Sequence, residues 1–426
     1  MAFQQGLSGL ASASKALDVV SNNVANANTV GFKTGAAQFA DVFASSLSGA
    51  SGGTQVGIGT RIAKVAQSFT QGNITVTNNP LDMAISGDGF FRLVSPDGTG
   101  APVYSRNGQF NVDRDGYVVN AQGFRLTGFG ISETGQAGTI GELNLGAGAA
   151  LGEPKMTTEA SWTLNLDSRM DAPSPVGGSI DEVDLDAEPP VPLKATMYNS
   201  TTTTNIYDSL GNAHTLALYF VQDDAAGQWK VYRSVDGATP ESAGTLSFTA
   251  SGRLENEATD ADVGVFDLSL DFSDSGAQAD QAVRLNFRGS SQYGDAFGVN
   301  SIGQDGYRPG ELSGISVSKD GLIRASYSNG ESRDLGQVAL ASFDNRNGLQ
   351  PLGGNLWAAT RDSGDERIGA PGDTNLGLLT PGAVEESNVD LTSELVQLIV
   401  QQRAYQANAQ SVQAQNTILQ TLVNLG

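Results

Sequence analysis

The sequence of 426 residues contains no cysteine and a single histidine, His214. Without cysteine there is no disulfide, no thiolate nucleophile and no thiolate zinc ligand, and one histidine cannot form a histidine cluster around a metal. His214 follows a Gly-Asn turn at the head of an apolar run, which is typical of a surface hairpin residue and not of a catalytic base. We therefore predict no catalytic residue, no metal site, no cofactor and no enzymatic activity.

Charged residues are also scarce, at 16%, and they are strongly biased towards acids, with a net charge of −22. A negative chain of this kind is a poor ligand for nucleic acid or anionic membranes. No run approaches the ~20 apolar residues of a membrane span, and the first ten residues lack the basic region of a cleaved secretory signal. We expect neither nucleic-acid binding nor membrane insertion.

The charge is unevenly distributed along the chain. Residues 1–33 carry two bases and one acid, and residues 391–426 carry one of each, whereas residues 146–292 carry 22 acids and 8 bases, a net −14. Nearly neutral ends and an acidic centre suggest ends that pack together and a centre that faces water.

Both ends have the apolar periodicity of helices that pack along other helices. The C-terminal pattern predicts a helix of about 54 Å that starts at Leu391, behind the capping residues 387–390. Its opposite face is rich in glutamine and poor in charge, which favours a helix surrounded by other helices over a lone antiparallel hairpin of the two ends. The stripe positions are Phe3, Leu7, Leu10, Ser14, Leu17, Ser21 and Val24 at the N-terminus, and Leu391, Leu395, Leu398, Gln402, Tyr405, Ala409, Val412, Asn416, Leu419 and Val423 at the C-terminus.

Between the ends the apolar period changes to two, and Gly-containing turns separate short strands such as 90–94, 322–327 and 337–343. The predicted fold class is mixed and mainly β, with coiled-coil-like helical termini and two nested, discontinuous β domains. We expect a helical polymerisation domain (1–33 and 385–426), a connector (34–70), a split β domain (71–145 and 293–370) and an outer acidic β domain (146–292).

Carboxylates are the remaining candidates for chemistry. The acidic run between Asp181 and Glu188 lies in a proline-rich loop, where such residues are usually solvated, and calcium binding is a weaker interpretation. Asp113-Arg114-Asp115-Gly116 begins like a calcium loop but lacks the later ligands, which favours a hairpin turn.

Three separated segments resemble the signatures of the flagellar rod and hook axial proteins. The first is Ser21–Lys33, an asparagine-rich turn that ends in Gly-Phe-Lys, the second is Asn79–Phe91, and the third is Ser387–Leu391 with Gln402–Ala409 behind it. The first segment contains the motif residues Asn23, Asn26, Asn28, Thr29, Gly31, Phe32 and Lys33.

This resemblance implies a subunit that assembles with itself into a helical tube, with the end helices inside and the acidic domain outside. It also implies contact with other flagellar axial proteins (distal rod, hook cap and hook-filament junction), and export through the flagellar export apparatus to the cell exterior without a cleaved signal peptide. The long 146–292 insertion favours the hook-type member, a bent and rotating joint. A distal rod-type protein and, from a different class, a secreted β-rich adhesin remain alternatives.

Overall fold

The computed structural model describes residues 2–42, 57, 59–97, 100–131, 137–146, 151–173, 178–183, 191–257 and 260–425. The chain divides into two compact units. We call them the terminal unit (Met1–Ala149, Ser313–Ser326 and Ser332–Gly426) and the middle unit (Ala150–Leu312 and Tyr327–Glu331). The mainly β composition with helical termini is as predicted from the sequence.

Helix α1 spans Ala2–Ala25 and helix α2 spans Leu391–Leu425. The first ten strands are β1 (Gly35–Val42), β2 (Gly59–Gln67), β3 (Ile74–Val76), β4 (Met83–Ser86), β5 (Phe90–Val94), β6 (Val103–Ser105), β7 (Asn111–Val112), β8 (Val118–Val119), β9 (Arg125–Ile131) and β10 (Ala137–Glu142). The next ten are β11 (Leu151–Gly152), β12 (Glu159–Asp167), β13 (Ser200–Tyr207), β14 (Ala213–Gln222), β15 (Gln228–Val235), β16 (Glu241–Ser247), β17 (Val265–Leu270), β18 (Gln281–Asn286), β19 (Ser291–Tyr293) and β20 (Gly298–Gln304). The last nine are β21 (Gly310–Val317), β22 (Leu322–Tyr327), β23 (Ser332–Val338), β24 (Leu340–Ser342), β25 (Gln350–Gly353), β26 (Leu356–Ala358), β27 (Arg367–Gly369), β28 (Leu378–Pro381) and β29 (Ala383–Glu385).

The terminal unit is built on a sheet that joins strands from both halves of the chain, in the order β22-β23-β9-β5-β6-β26-β25. The late strands return to the early ones because β28 pairs with β4 and β29 pairs with β3, both antiparallel. The apolar core beneath this sheet includes Met83, Ile85, Phe91 and Phe110, all fully buried. The strand predicted at 90–94 is confirmed as β5.

The middle unit is a sandwich of two sheets. One sheet has the order β13-β14-β15-β16, and the other joins β17, β18, β12, β19 and β20. Alternate residues of β12 and β14 are buried, as expected for strands with one face in a core. The aromatic side chains of Trp162, Phe220, Trp229 and Phe287 are fully buried between the two sheets.

The structure differs from the predicted organisation at two places. In the segment expected to be a connector, β1 and β2 pair as an antiparallel hairpin, with a register shift after Gln38. The described part of the glycine-rich run 44–59 is limited to Gly57 and Gly59. Residues 293–312 belong mainly to the middle unit, because β20 pairs with β12 along Ala160–Asn165 and completes its sheet.

Two turns predicted from Asp-Gly and Asn-Gly pairs are confirmed, since Gly116 and Gly330 have φ of 84° and 89°. The carboxylate of Asp113 accepts hydrogen bonds from the backbone N–H groups of Asp115 and Tyr117, at 3.0 and 2.8 Å, and so closes its hairpin turn. Residues 184–190 of the acidic loop lie outside the described residues, and among those that are described no group of His, Asp and Glu could hold a metal ion.

Candidate assembly site

The asparagine-rich motif forms the turn that follows α1. The side chain of Asn26 donates to the carbonyl of Asn22 at 2.9 Å and accepts from the Thr29 hydroxyl at 3.1 Å, which connects the helix end to the turn. Gly31 has φ of +72°, and a Cβ atom at this position would lie 2.5 Å from the backbone nitrogen of Asn107. Both the backbone conformation and the close approach therefore require glycine. Asn28 is exposed and Phe32 is half-buried.

Asn23 is buried at the end of α1 and fixes the β1–β2 hairpin to it. Its amide donates to the carbonyl of Gly35 at 2.8 Å and accepts from the N–H of Gly35 at 3.0 Å. A single side chain thereby satisfies both backbone groups at the start of β1, so the direction of the hairpin is set by the helix.

Lys33, the last residue of the motif, reaches a buried carboxylate from the other end of the chain. Its Nζ atom lies 2.6 Å from Oε1 of Glu385, and both side chains are fully buried. The second oxygen, Oε2, accepts from Nη1 of Arg106 at 3.2 Å, while the N–H of Gly72 donates to Oε1 at 2.8 Å. We call Lys33, Arg106 and Glu385 the Glu385 cluster.

The Glu385 cluster contains two cations and one carboxylate. Burial lowers the pKa of Lys33 and the pKa of Arg106, and in both cases the charge and hydrogen bonds of Glu385 oppose this effect. Lys33 also donates to the carbonyl of Thr70 at 2.8 Å, and Arg106 donates to the carbonyl of Gly87 at 2.9 Å. The charges are thus compensated by a carboxylate and by fixed backbone dipoles, as buried charges require.

The C-terminal motif makes a second connection between the chain ends. The side-chain oxygen of Asn388 accepts from the backbone N–H and the hydroxyl of Thr34, at 2.8 and 2.7 Å, and its amide donates to the carbonyl of Ser68 at 2.8 Å. Asp390 then caps α2, because its Oδ1 accepts from the N–H groups of Thr392 and Ser393. The predicted cap is confirmed.

The two terminal helices pack against each other in antiparallel directions. A Cβ atom on Gly6 would lie 2.9 Å from Val412, and one on Gly9 would lie 2.9 Å from the side chain of Asn408, so both glycines allow a close approach. The antiparallel hairpin of the two ends, which the sequence analysis disfavoured, is therefore present within one chain. Val412 takes part in this contact, whereas Phe3, Leu7, Leu391 and Leu395 remain exposed.

On α1 the buried face lies one residue away from the predicted stripe. Ala13, Ala16, Val20 and Asn23 are buried, at the same steps of three and four residues. In contrast, Phe3 and Leu7 are 44% and 53% exposed. The other predicted positions, Leu10, Leu17 and Val24, are half-buried.

On α2 no described side chain is buried. Gln401, Ala404 and Asn408 are half-buried, and Asn408 lies against Gly9 of α1. Of the predicted stripe, Leu398, Ala409 and Val412 are half-buried, Leu391, Leu395, Tyr405, Asn416 and Leu419 are exposed, and the side chain of Val423 lies outside the described part of the chain. Additional exposed apolar residues on this helix are Val396, Ile399, Val400 and Ile418.

Sequence reasoning identified Lys33 and Asn388 through their motifs but missed Glu385 and Arg106. The signal that could have identified them is a charged residue inside a short apolar segment. Glu385 ends a short buried strand, and Arg106 follows the buried residues Tyr104 and Ser105, so each charge interrupts an apolar context. Nothing in the spacing could connect Glu385 to Lys33, since 352 residues separate them.

Comparisons with known proteins agree with this arrangement of ends and middle. Residues 3–33 match the model of the flagella basal body rod protein, and residues 380–425 match the flagellar basal body rod FlgEFG protein C-terminal model. Residues 84–150 match the flagellar hook protein FlgE/F/G D1 domain, and residues 165–307 match the flagellar basal body protein FlaE D2 domain.

Among curated proteins, the flagellar hook protein FlgE of Salmonella typhimurium is 42% identical over 440 residues, covering 100% of both chains. The Escherichia coli protein of the same name is 41% identical over 436 residues, again with full coverage of both, and that of Borreliella burgdorferi is 34% identical over 99% of this chain and 98% of its own. The chain belongs to the flagellar hook protein family. This family consists of structural proteins of the bacterial flagellum.

A solved structure of a hook protein also has a fold similar to that of this chain. The crystal structure of Helicobacter pylori flagellar hook protein FlgE2 superposes with a TM-score of 0.51 at 14% identity, covering 73% of this chain and 100% of that one. At this identity the likeness concerns the fold. Within the described residues no helix is long and apolar enough to cross a membrane.

Proposed function

We propose that this hook family member is the subunit of the flagellar hook tube and that it polymerises through the outward faces of α1 and α2. The observation that carries the proposal is the set of large apolar side chains that both helices leave exposed within one chain, including Phe3 and Leu7 on α1 and Leu395 and Ile399 on α2. The close contacts between the helices involve instead Gly6 with Val412 and Gly9 with Asn408. Exposed apolar surfaces of this kind mark interaction sites.

The Glu385 cluster and Asn388 attach both helices to the same part of the terminal unit. Lys33 lies eight residues beyond the end of α1, and Glu385 lies six residues before the start of α2. Both helices are therefore attached to the same β sheet region by buried, hydrogen-bonded charges. In a tube that transmits torque, these contacts carry force between the two terminal helices and the strands of the terminal unit.

The remaining expectations belong to the same proposal. The chain acts without catalysis and without a cofactor, contacts other axial proteins at the two ends of the tube, and reaches the cell exterior through the flagellar export apparatus without cleavage of a signal peptide. The distal rod-type alternative receives less support, because the match at residues 165–307 is to a separate D2 domain that accounts for the long insertion.

A paired substitution on α2 tests the proposal. Leu395 and Ile399 are each 50% exposed, one turn apart, and replacing both with glutamine keeps helix propensity while removing the apolar side chains. Half-burial of each in an assembly contributes about 1–1.5 kcal/mol, so the loss of both raises the critical concentration for polymerisation by roughly 30- to 150-fold.

The matched control is Thr392→Gln with Ser393→Gln, which changes two exposed polar residues of the same turn. Sedimentation and electron microscopy would measure tube formation, and circular dichroism would establish that all three proteins fold alike. Equal critical concentrations for the two double variants would show that α2 does not carry the assembly contacts.

A further inference from the structure

The single histidine of the chain lies between two carboxylates of the middle unit. Nδ1 of His214 is 2.7 Å from Oδ2 of Asp236, and Nε2 is 3.3 Å from Oδ2 of Asp208. A neutral imidazole has one N–H donor and one acceptor, whereas ionised carboxylates only accept. Both contacts can be hydrogen bonds only when the ring is an imidazolium cation.

Asp208 is held as a carboxylate by its surroundings. Its side chain is fully buried, which by itself raises the pKa, but hydrogen bonds from Asn212, His214 and Ser275 outweigh burial and lower the pKa to about 2. Its Oδ1 atom also accepts from the N–H groups of Leu210 and Asn212, at 2.9 and 2.8 Å. The charge on Asp208 is therefore constant throughout the range in which an imidazole titrates.

Asp236 forms the tip of the turn between β15 and β16. Its φ is +50°, in the left-handed region that non-glycine residues occupy only when the surroundings hold them there. Its Oδ1 atom accepts from the N–H of Thr215 at 2.7 Å, and its own N–H donates to the carbonyl of Thr215 at 2.9 Å. The bond to His214 adds a charge-assisted connection to this strained turn.

The other groups around the ring do not supply a competing charge. Phe272 covers one face of the imidazole, with ring centroids 4.2 Å apart. On the adjoining segment the Ser275 hydroxyl donates to Asp208, Asp271 accepts from the N–H of Ser273, and Asp274 is exposed. Among the described residues, the charged groups that face the ring are thus Asp208 and Asp236.

We propose that His214 is a pH-responsive clamp that fastens the β15–β16 turn to the β13–β14 turn. Protonated, the ring donates to both carboxylates and holds Asp236 in its left-handed conformation. Deprotonated, it retains one donor, and the nitrogen lone pair that remains opposes a carboxylate oxygen. The clamp is complete at pH below the titration of the ring and is lost as the pH rises through it. The exposed turn then loosens at higher pH.

A single histidine allows a direct test in the full-length chain under conditions that keep it monomeric. Proton NMR gives one pair of imidazole ring resonances, whose titration is followed between pH 5 and 9. Hydrogen exchange, corrected for the intrinsic rate at each pH, is measured in parallel on the backbone N–H of Asp236. We expect its protection to fall about tenfold with the same midpoint as the ring, as loss of one charge-assisted hydrogen bond implies. The N–H of Val231, inside β15, should keep its protection.

Two variants separate the clamp from general loosening of the unit. His214→Gln cannot change charge and should give pH-independent protection at Asp236. Asp236→Asn keeps the turn residue able to accept from Thr215 but removes the carboxylate that the charged ring contacts, so the pH dependence of protection in this turn should weaken. An unchanged pH dependence of protection in H214Q would overturn the proposal, and so would one in D236N equal to that of the unaltered chain.

Discussion

Replacing Glu385 with glutamine should selectively loosen the attachment of the two terminal helices to the strands of the terminal unit. The change keeps the size of the side chain but removes the one negative charge that Lys33 and Arg106 share, at 2.6 and 3.2 Å. Removing one partner of a buried ion pair typically costs 3–5 kcal/mol, since the remaining charges stay buried without compensation. In E385Q two cations remain, and the new amide N–H₂ group must face one of them. We therefore expect a loss well within this range, about 4 kcal/mol.

Native-state hydrogen exchange is the suitable assay, because a two-unit chain does not have one global unfolding free energy. Three backbone N–H groups report on the cluster: Gly31 donates to the carbonyl of Glu385 at 2.8 Å, Gly72 donates to its carboxylate at 2.8 Å, and Glu386 donates to the carbonyl of Asn73 at 2.8 Å. A loss of about 4 kcal/mol corresponds to a roughly 1,000-fold decrease in their protection. Amides in β14 and β15 of the middle unit should not change.

Glu386→Gln is the matched control, because Glu386 is the next residue and is exposed, with its carboxylate accepting from the Thr75 hydroxyl at 2.7 Å. Surface changes of this kind stay within about 0.5 kcal/mol. Lys33→Met should cost less than E385Q, because it leaves one carboxylate paired with one cation. If E385Q and E386Q exchange alike at Gly31 and Gly72, the cluster does not hold the chain ends and the reasoning is refuted.

Further predictions concern other parts of the chain. Gly31→Ala should lower the melting temperature of the terminal unit, since the new Cβ would lie 2.5 Å from the backbone of Asn107 at φ of +72°, whereas Gly130→Ala, with open space around it, should be nearly neutral in calorimetry. The folded-state pKa of Asp208, about 2, lies below its ordinary 3.8, so its contribution of roughly 2 kcal/mol to the middle unit is present above pH 4 and is lost as the pH falls through 2. Asp208→Asn should correspondingly flatten acid unfolding of this unit in that range. Asn416, exposed at a stripe position of α2, should set the register between subunits, so Asn416→Leu should favour association while producing irregular tubes by electron microscopy.

Periodicity in the sequence was sufficient to predict the helices, because apolar residues recur at steps of three and four at both ends, with only two polar residues in each stripe. It was not sufficient to predict which face each helix buries within one chain. The buried face of α1 is made of Ala13, Ala16 and Val20 with glycines before them, and small side chains contribute little to an apolar pattern. The large side chains of Phe3 and Leu7 dominate that pattern although both are exposed within one chain.

The Glu385 cluster shows a different limit of sequence reasoning. Motif resemblance marks Lys33 and Asn388 as important but does not say what they contact. Their partners come from strands that return to the start of the chain after the whole middle unit, and this closure depends on the pairing of β28 with β4 and β29 with β3. Only the tertiary structure brings Glu385 to Lys33, so a sequence pattern could identify one half of the pair.

The division of contacts on the terminal helices has an energetic consequence for assembly. Within one chain, α2 buries no described side chain completely, so its 35 residues gain little from packing against α1. Ordering a long helix costs conformational entropy at every residue, and this cost is offset mainly by burial of an apolar face. We expect other chains to cover the apolar face of α2, whereas the Glu385 cluster and Asn388 attach the segment before this helix already in the single chain. We therefore expect α2 of the free subunit to be held at its first residues and only weakly beyond them, and polymerisation to supply the burial that orders the rest.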